Sequence, residues 1–332
     1  MAATRRRIRP GAAVTAVLCA VMTAGLYGCA DSGPSEPAPS RTPATSPDGR
    51  SPFTGLPARP DDPVLAVKID NVGPARPHTG LGAADLVYVE QVEGGQTRLL
   101  AVYSTQLPDR VGPVRSARES DIELLRQFGA PALAYSGSHS GLKPPLRDAP
   151  LDLLTPETVP GAYVRGADRP APHNLYLLPE RALEAAPDAQ RAEDIGLRFG
   201  PAPAGGEPVN THTARFPAAR YTFTWSAADQ GWRVAMDGTP ARTTDGGPLT
   251  ATNVVVQQVN VRASTFEDFL GSVSPYTETV GSGSALVLRD GRGHDARWSR
   301  PDAASGTALT TPDGAPLNLA PGRTWIVLVP RG

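Results

Sequence analysis

The first 28 residues differ in character from the rest of the chain, and they confine the fold to the residues after them. The chain opens with four arginines, Arg5, Arg6, Arg7 and Arg9. An uncharged run rich in Ala, Val and Leu comes next at 11–27 and ends at Gly28. A positive segment, a short apolar run and a small residue form the pattern of a secretory signal peptide, and the run is short for a membrane span of about 20 residues. We therefore expect residues 1–28 to be removed and the fold to form from the remainder.

Cys29 comes directly after this segment. The junction resembles a bacterial lipoprotein signal, in which the mature chain begins at a lipid-modified cysteine. The resemblance implies lipidation of Cys29, palmitate included, and so a membrane anchor on the outer face of the bacterial cytoplasmic membrane. The other cysteine, Cys19, lies within the signal. The folded part therefore has no disulfide and no thiol chemistry, and it relies on an ordinary core.

Charge excludes two classes of protein. The chain has 32 Lys and Arg against 33 Asp and Glu, and loss of the four signal arginines leaves 28 against 33, a net charge of −5. A mildly acidic domain lacks the basic surface of a nucleic-acid-binding protein, and it is not drawn to an anionic membrane by charge. We therefore expect no nucleic-acid partner.

The segment 29–52 predicts an extended tether. It carries six prolines among Ser, Thr and Asp, at positions 34, 37, 39, 43, 47 and 52. With no large apolar residue, it cannot bury enough surface to order itself. Such a tether would hold a globular domain away from the membrane.

Residues 53–200 predict an α/β part. Apolar runs at 64–69, 86–91, 97–104 and 132–135 predict strands, and Glu93-Gly94-Gly95 joins the second and third as a hairpin. Ser116 and Glu119 match a capping box before one helix, and Pro179 predicts the start of another.

Residues 215–332 predict a β-rich, antiparallel part after a loop or boundary at 201–214. Strands are predicted at 221–225, 232–236, 253–261, 285–289, 296–299 and 324–329. Asp-Gly pairs that favour turns begin at positions 237, 245, 290 and 313. The fold class expected for the whole is mixed α/β (α+β), a layered sandwich of mixed sheet and helices.

Several blocks resemble the YerB-like family of bacterial lipoproteins, a family of unknown function. The blocks are 52–55, 84–90, 93–98, 112–118, 171–176, 280–285 and 322–326. Because they recur in order, the resemblance covers essentially 52–330. It implies a mixed α/β sandwich with a β-rich C-terminal part, and it implies no reaction.

The most specific group of candidate site residues is a set of three arginines within the resembling blocks, Arg98, Arg115 and Arg118. They come from a strand and from the approach to a helix start, and guanidinium groups suit bidentate capture of carboxylate or phosphate. They predict an anion pocket for a teichoic-acid phosphate, a peptide carboxylate or a uronic acid. The alternative is a structural network, since Asp85, Glu93 and Asp121 are close in sequence.

His173 and Asn174 are the second candidate, because Pro172 fixes the direction of the chain before them. His173 paired with Glu93 or Asp70 would make a general base. The alternative is a loop histidine that is hydrogen-bonded to backbone.

The remaining motifs do not predict a catalytic, metal or cofactor site. The five histidines, at 78, 139, 173, 212 and 294, have no metal-ligand spacing, and no cofactor motif is present. In the run 136–140 a Gly precedes Ser138 but His139 follows it, whereas a nucleophile elbow has Gly on both sides, and 281–284 lacks the ending of a phosphate loop. We therefore expect no metal and no cofactor.

The sequence thus predicts a membrane-anchored envelope protein that binds a cell-wall component or an envelope protein without catalysing a reaction. The predicted binding residues are Glu93, Arg98, Arg115, Arg118, His173 and Asn174. The alternative is an enzyme acting on a cell-wall polymer, with Glu93, Asp70 and His173 as acid-base candidates.

Overall fold

A computed structural model describes residues 49–58, 62–267 and 271–331. The predicted signal peptide, the lipidation site Cys29 and all but the last residues of the tether lie outside the described residues. Within the described part, no helix is long and apolar enough to span a membrane.

Strands dominate the structure. The N-terminal strands are β1 (Leu65–Ile69), β2 (Leu86–Gln91), β3 (Thr97–Tyr103), β4 (Ala132–Ala134), β5 (Asp152–Leu154), β6 (Tyr163–Arg165) and β7 (Leu175–Leu177). The C-terminal strands are β8 (Glu207–Pro208), β9 (Thr211–Arg215), β10 (Arg220–Ser226), β11 (Gly231–Met236), β12 (Thr239–Pro240), β13 (Thr250–Ala251), β14 (Asn253–Val259), β15 (Val261–Glu267), β16 (Val273–Thr277), β17 (Gly281–Arg289), β18 (Arg292–Arg300), β19 (Ala308–Thr310) and β20 (Thr324–Pro330). The α-helices are α1 (Glu119–Leu125), α2 (Lys143–Asp148) and α3 (Pro179–Leu183). Short 3-10 helices lie at Gly73–Ala75, Leu81–Ala83, Glu93–Gly95, Arg126–Phe128, Ser140–Leu142 and Pro160–Ala162.

One 11-stranded mixed sheet draws on both halves of the chain. Its order is β19-β18-β17-β14-β20-β2-β3-β1-β4-β5, with β8 paired to β18. The last long strand, β20, lies between β14 and β2 and runs parallel to both. The division at 201–214 stays a prediction, but the strands of this sheet come from both sides of it.

The mixed α/β layered sandwich is confirmed, although the pairing of β20 differs from the antiparallel expectation for the C-terminal part. Six of the seven residues of β20 are buried. A strand that is apolar on both faces belongs in the centre of a covered sheet, where parallel pairing is common. Its apolar run predicts that location but does not reveal the direction of its neighbours.

A five-stranded sheet, β12-β11-β10-β9 with β13, forms a second layer. Tyr221 and Phe223 of β10 contact Trp325 of β20, with ring centroids 6.2 and 6.1 Å apart. Such aromatic contacts stabilise a packed interface beyond the area they bury. On the opposite face of the large sheet, Tyr88 contacts Phe128, which lies just after α1, at 6.3 Å.

Helix α1 begins later than the predicted capping box suggests. Arg118 is the N-cap residue, and its backbone N–H donates to Asp121 Oδ2 at 2.6 Å. Glu119 is the first helical residue rather than the closing residue of a box with Ser116. The capping carboxylate is thus Asp121, three residues beyond the N-cap, where a side chain can reach back to it.

The predicted strand 253–261 is divided between two sheets. Strand β14 ends at Val259, and the chain then enters a separate two-stranded hairpin, β15–β16. This hairpin comes from the C-terminal part and lies against the candidate site described below.

Candidate functional site

A pocket of about 480 Å³ lies where the end of β1, the β2–β3 turn, the start of α1 and the hairpin β15–β16 meet. Six of the seven residues that the sequence nominates line it, Asp70, Glu93, Arg98, Arg115, Arg118 and His173. They come from four separate stretches of the chain.

Backbone pairing brings the arginine segment to this edge of the sheet. The N–H of Asp70, directly after β1, donates to the carbonyl of Pro113 at 2.9 Å. The N–H of Arg115 donates to the carbonyl of Lys68 at 2.8 Å. Residues 113–115 therefore run alongside the end of β1, and they carry Arg115 to the pocket next to Asp70.

Arg118 and Glu93 form a bidentate ion pair. Arg118 Nε donates to Glu93 Oε1 at 2.6 Å and Nη2 donates to Oε2 at 2.7 Å, while Ser274 Oγ also donates to Oε1. Burial alone would raise the pKa of Glu93, but the hydrogen bonds and charge of Arg118, with the bond from Ser274, lower it to about 2. Glu93 is therefore ionised near neutral pH and has no proton to donate as a general acid.

Asp70 holds His173. Its Oδ2 lies 2.8 Å from His173 Nδ1 and 3.3 Å from Arg115 Nε, and its side chain is nearly fully buried. A carboxylate on one ring nitrogen orients the imidazole and favours the tautomer with a proton on that nitrogen. Nε2 of His173 then carries the lone pair, and no hydrogen bond to Nε2 is made within the described residues. This pair matches the predicted partnership of His173 with Asp70 rather than with Glu93.

The guanidinium groups of Arg98 and Arg115 make few hydrogen bonds with the protein. Within the described residues, the side chain of Arg98 donates one hydrogen bond, from Nη1 to the carbonyl of Ser116 at 3.1 Å, and no carboxylate lies within ion-pair distance of it. Nε of Arg115 is buried without a hydrogen bond, since its approach to Asp70 lacks hydrogen-bond geometry. The terminal amino groups of Arg115 have no protein acceptor in the described part of the chain.

The electrostatic surroundings of Arg98 agree with this shortage of partners. Burial, with a smaller contribution from the charge of Arg118, lowers the pKa of Arg98 to about 10, and Glu93 only partly opposes this. The guanidinium is still charged at neutral pH. A half-buried cation that has lost water without gaining a carboxylate is stabilised by an anion that enters the pocket.

The structural-network alternative accounts for one of the three arginines. Glu93 pairs with Arg118, as that alternative predicts. Asp121 pairs instead with Lys68, and Asp85 accepts from the backbone N–H groups of Ser104 and Thr105. Among the described residues, Arg98 has no carboxylate partner, and Arg115 contacts a different carboxylate, Asp70, at 3.3 Å.

Asn174 does not line the pocket. Its Oδ1 accepts from Arg165 Nη1 at 2.8 Å, and its Nδ2 donates to the carbonyl of Gly166 at 2.8 Å. These bonds fasten the loop that presents His173. The structure therefore separates Asn174 from the predicted binding residues and places it in support of one of them.

The hairpin β15–β16 supplies a wall that the sequence did not predict. Ser264, Phe266, Glu267 and Ser274 line the pocket from this side, and Ser264 Oγ donates to a carboxylate oxygen of Glu119. Ser274 and its partner Glu93 are 181 positions apart. No local pattern signals such a contact, because it depends on how the two parts of the chain pack.

A buried charged cluster lies behind the pocket. Lys68 Nζ is 2.9 Å from Glu90 Oε2 and 2.5 Å from Asp121 Oδ1, and all three side chains are sealed from solvent. Burial raises the pKa of Glu90 to about 7 and Asp121 adds to this, although Lys68 opposes it. Because Asp121 also caps Arg118, this cluster supports the start of α1 next to the pocket.

The described residues hold no group of three or more His, Cys, Asp or Glu side chains arranged to bind a metal ion. The pocket presents guanidinium groups, carboxylates, hydroxyls and two imidazoles, of which that of His173 is oriented by a carboxylate.

Comparison with known proteins places this arrangement in a family. Residues 53–192 match the N-terminal domain, and residues 212–326 the C-terminal domain, of a family described as "Protein of unknown function (DUF3048)". The Bacillus subtilis (strain 168) protein named "Putative lipoprotein YerB" is 27% identical over 303 residues, which are 87% of this chain and 88% of that protein. The crystal structure of YerB from Bacillus subtilis has a TM-score of 0.72 at 23% identity, covering 85% of this chain and 97% of the other, so the fold is shared. This chain belongs to the two-part YerB-like family, DUF3048.

Proposed function

We propose that this protein is a lipid-anchored envelope protein whose pocket binds an acidic group of a cell-wall component. The signal pattern ending at Cys29 and a relative that carries the name of a lipoprotein support the anchored, extracytoplasmic location. The observation that carries the binding function is that two arginines in one pocket have few protein partners: Arg98 donates a single hydrogen bond, to the Ser116 carbonyl, and Arg115 Nε is buried without one.

Binding of an acid group depends on the charge next to Arg98 rather than on the total charge of the pocket. Three arginines line the pocket against four carboxylates, so its total charge does not favour anions. However, Glu93 is neutralised by Arg118, and Glu119 is engaged by Ser264 on the hairpin side. An acid group bound at Arg98 would gain charge-assisted hydrogen bonds, which are about twice as strong as neutral ones.

The Asp70–His173 pair favours a second function, an enzyme acting on a wall polymer. An imidazole oriented by a carboxylate can remove a proton from a hydroxyl or from water. Against this function, no side-chain hydroxyl among the described residues donates to Nε2 of His173, so the pocket supplies no side-chain nucleophile for the imidazole to activate. Glu93 is also unsuited to the acid role, because its pKa is about 2. We therefore rank binding first.

Sedimentation with purified cell-wall sacculi tests both functions. We would use the chain from Ala30, which lacks the signal and Cys29 but keeps every described residue, and measure both the protein that sediments and the soluble fragments released. We expect saturable sedimentation without fragments, and weaker sedimentation for Arg98→Gln. Arg147→Gln is the matched control, since Arg147 is an exposed arginine outside the pocket.

Two other outcomes decide against this proposal. Fragment release that disappears in His173→Gln would make the protein an enzyme. Sedimentation equally strong in wild type and Arg98→Gln, or none at all, would contradict acid binding at this pocket.

A further inference from the structure

The hairpin wall of the pocket carries an aromatic ring in a fixed position. Phe266 lies 5.8 Å from the ring of His139, centroid to centroid, and both residues line the pocket. A Cβ placed on Gly141 would come within 3.1 Å of Phe266 Cε1. The ring therefore rests closely against the 139–141 turn, and it is half-buried rather than free in solvent.

Groups that bond to hydroxyls lie in the same pocket as this ring. Ser138 Oγ is buried and has no partner within the described residues, and Ser140 is exposed beside it. Glu119 and Glu267 contribute carboxylate oxygens, which accept hydrogen bonds from hydroxyl groups. A simple acid such as phosphate would contact the arginines and leave these groups and the ring unused.

Together these features describe a ligand with two different ends. The arginines Arg98 and Arg115 suit an acid group, whereas Phe266 suits the apolar face of a ring that bears hydroxyls. Pockets commonly combine an apolar contact surface with a few polar groups that fix orientation. A sugar ring that carries a carboxylate or a phosphate satisfies both ends.

We propose that the pocket recognises an acidic sugar unit, with its acid group at Arg98 and Arg115 and its ring against Phe266. This inference rests on the proposed binding function and specifies its ligand class. Phe266 is then the residue that determines specificity for the ring. It comes from the C-terminal part of the chain, whereas the arginines come from the N-terminal part.

Five small probes separate the two ends of the ligand. Glucuronic acid and glucose 6-phosphate carry ring and acid, glucose carries the ring alone, and acetate and phosphate carry the acid alone. Titration of the chain from Ala30, monitored by NMR or calorimetry, should show at least one sugar acid binding about tenfold more tightly than its simple acid and than glucose. Comparison of the two sugar acids identifies the acid group as carboxylate or phosphate.

Variants then assign each end. Phe266→Ala and Phe266→Leu should reduce the affinity for the sugar acid to that for the simple acid, without changing the affinity for acetate or phosphate. The leucine variant keeps an apolar side chain at this position. An equal loss of affinity in both variants would therefore show that the aromatic ring itself contacts the ligand. Val273→Ala is the matched control, because Val273 is an exposed apolar residue of the same hairpin and does not line the pocket.

The failures are distinguishable. Equal affinity for sugar acids and simple acids would overturn the ligand class and leave the anion site intact. No binding of any probe by a protein that still sediments with sacculi would also overturn the ligand class alone. No binding of probes or sacculi would overturn both proposals.

Discussion

Two clusters of charged side chains meet at the start of helix α1, and they differ in how completely the protein partners them. In the sealed cluster, Lys68 contacts both Glu90 and Asp121, and none of the three is accessible to solvent. In the pocket, Arg98 and Arg115 are accessible and have few acceptors. Charged side chains thus stabilise the fold in the sealed cluster, whereas in the pocket they are available to bind a ligand.

A fully buried arginine shows the same contrast within one residue type. Arg300 is sealed and donates five hydrogen bonds, to the carbonyls of Glu123, Leu124, Ala303 and Ser305 and to Thr279 Oγ1. Arg98 donates one within the described residues. Buried charges are retained in folds when their bonds are satisfied. A shortfall in partners next to a cavity therefore indicates a binding position.

The largest effect is expected from the sealed cluster. Lys68→Met leaves Glu90 and Asp121 facing each other without a cation, and breaking a buried ion pair in this way costs about 3–5 kcal/mol. Urea unfolding should show this loss in the free energy of unfolding. Lys143→Met, at an exposed lysine of α2, should change it by less than about 0.5 kcal/mol. A loss below about 1 kcal/mol for Lys68→Met would contradict the structural role of the cluster.

Glu90 should make stability depend on pH. Because burial raises its pKa to about 7, the folded protein keeps a proton on Glu90 that the unfolded chain releases near pH 4.5. This contribution to stability is complete below about pH 4.5, falls as pH rises to about 7 and is constant above that value. Glu90→Gln cannot titrate, so its stability relative to wild type should rise across this window by roughly 3 kcal/mol at most.

The measurement is urea unfolding of both proteins at several pH values between 4.5 and 8. His78 has the opposite dependence, since burial lowers its pKa to about 4, but it is present in both proteins and cancels in the difference. A difference that does not change with pH would show that Glu90 keeps no proton in the folded state.

The pocket should respond in affinity rather than in stability. Arg98→Gln removes a cation that the protein itself barely uses, so the free energy of unfolding should change by less than about 1 kcal/mol. Affinity for the acid should fall roughly tenfold to a hundredfold, since a hydrogen bond to a charged group contributes about 1.5–3 kcal/mol. Thermal unfolding and binding of the same sample give both values. If Arg98→Gln lowered the free energy of unfolding as much as Lys68→Met does, Arg98 would have a structural role like that of the sealed cluster.

The smallest effect is expected where the hairpin meets the ion pair. Ser274→Ala removes one hydrogen bond to Glu93, and such a bond contributes about 0.5–1.5 kcal/mol. The bidentate pair with Arg118 should survive, so acid affinity should fall by no more than about tenfold. Calorimetric titration of this variant beside Val273→Ala separates the hydrogen bond from general effects on the hairpin. Loss of all binding would mean that Ser274 itself contacts the ligand.

Much of the local structure is predictable from the chain. Strands β1, β2 and β3 and the hairpin turn at Glu93-Gly94-Gly95 form where they are expected, because apolar runs and turn residues act over a few positions. The direction of β20 is not predictable in this way, since an apolar run specifies burial but not which neighbours run parallel to it. Helix α1 likewise takes its cap from Asp121, whose other oxygen contacts Lys68 on a distant strand.

The sequence by itself determined the signal pattern, the absence of cysteine from the folded part, the main strands and the residue types suited to bind an acid. These are properties of composition and short-range spacing. Only the tertiary structure decided that Glu93 belongs to Arg118, that Asp70 orients His173 and that Phe266 faces the same pocket as Arg98. Partner choice depends on distances between residues far apart in the chain. Packing within the N-terminal part sets the first two of these contacts, and packing of the β15–β16 hairpin against that part sets the third.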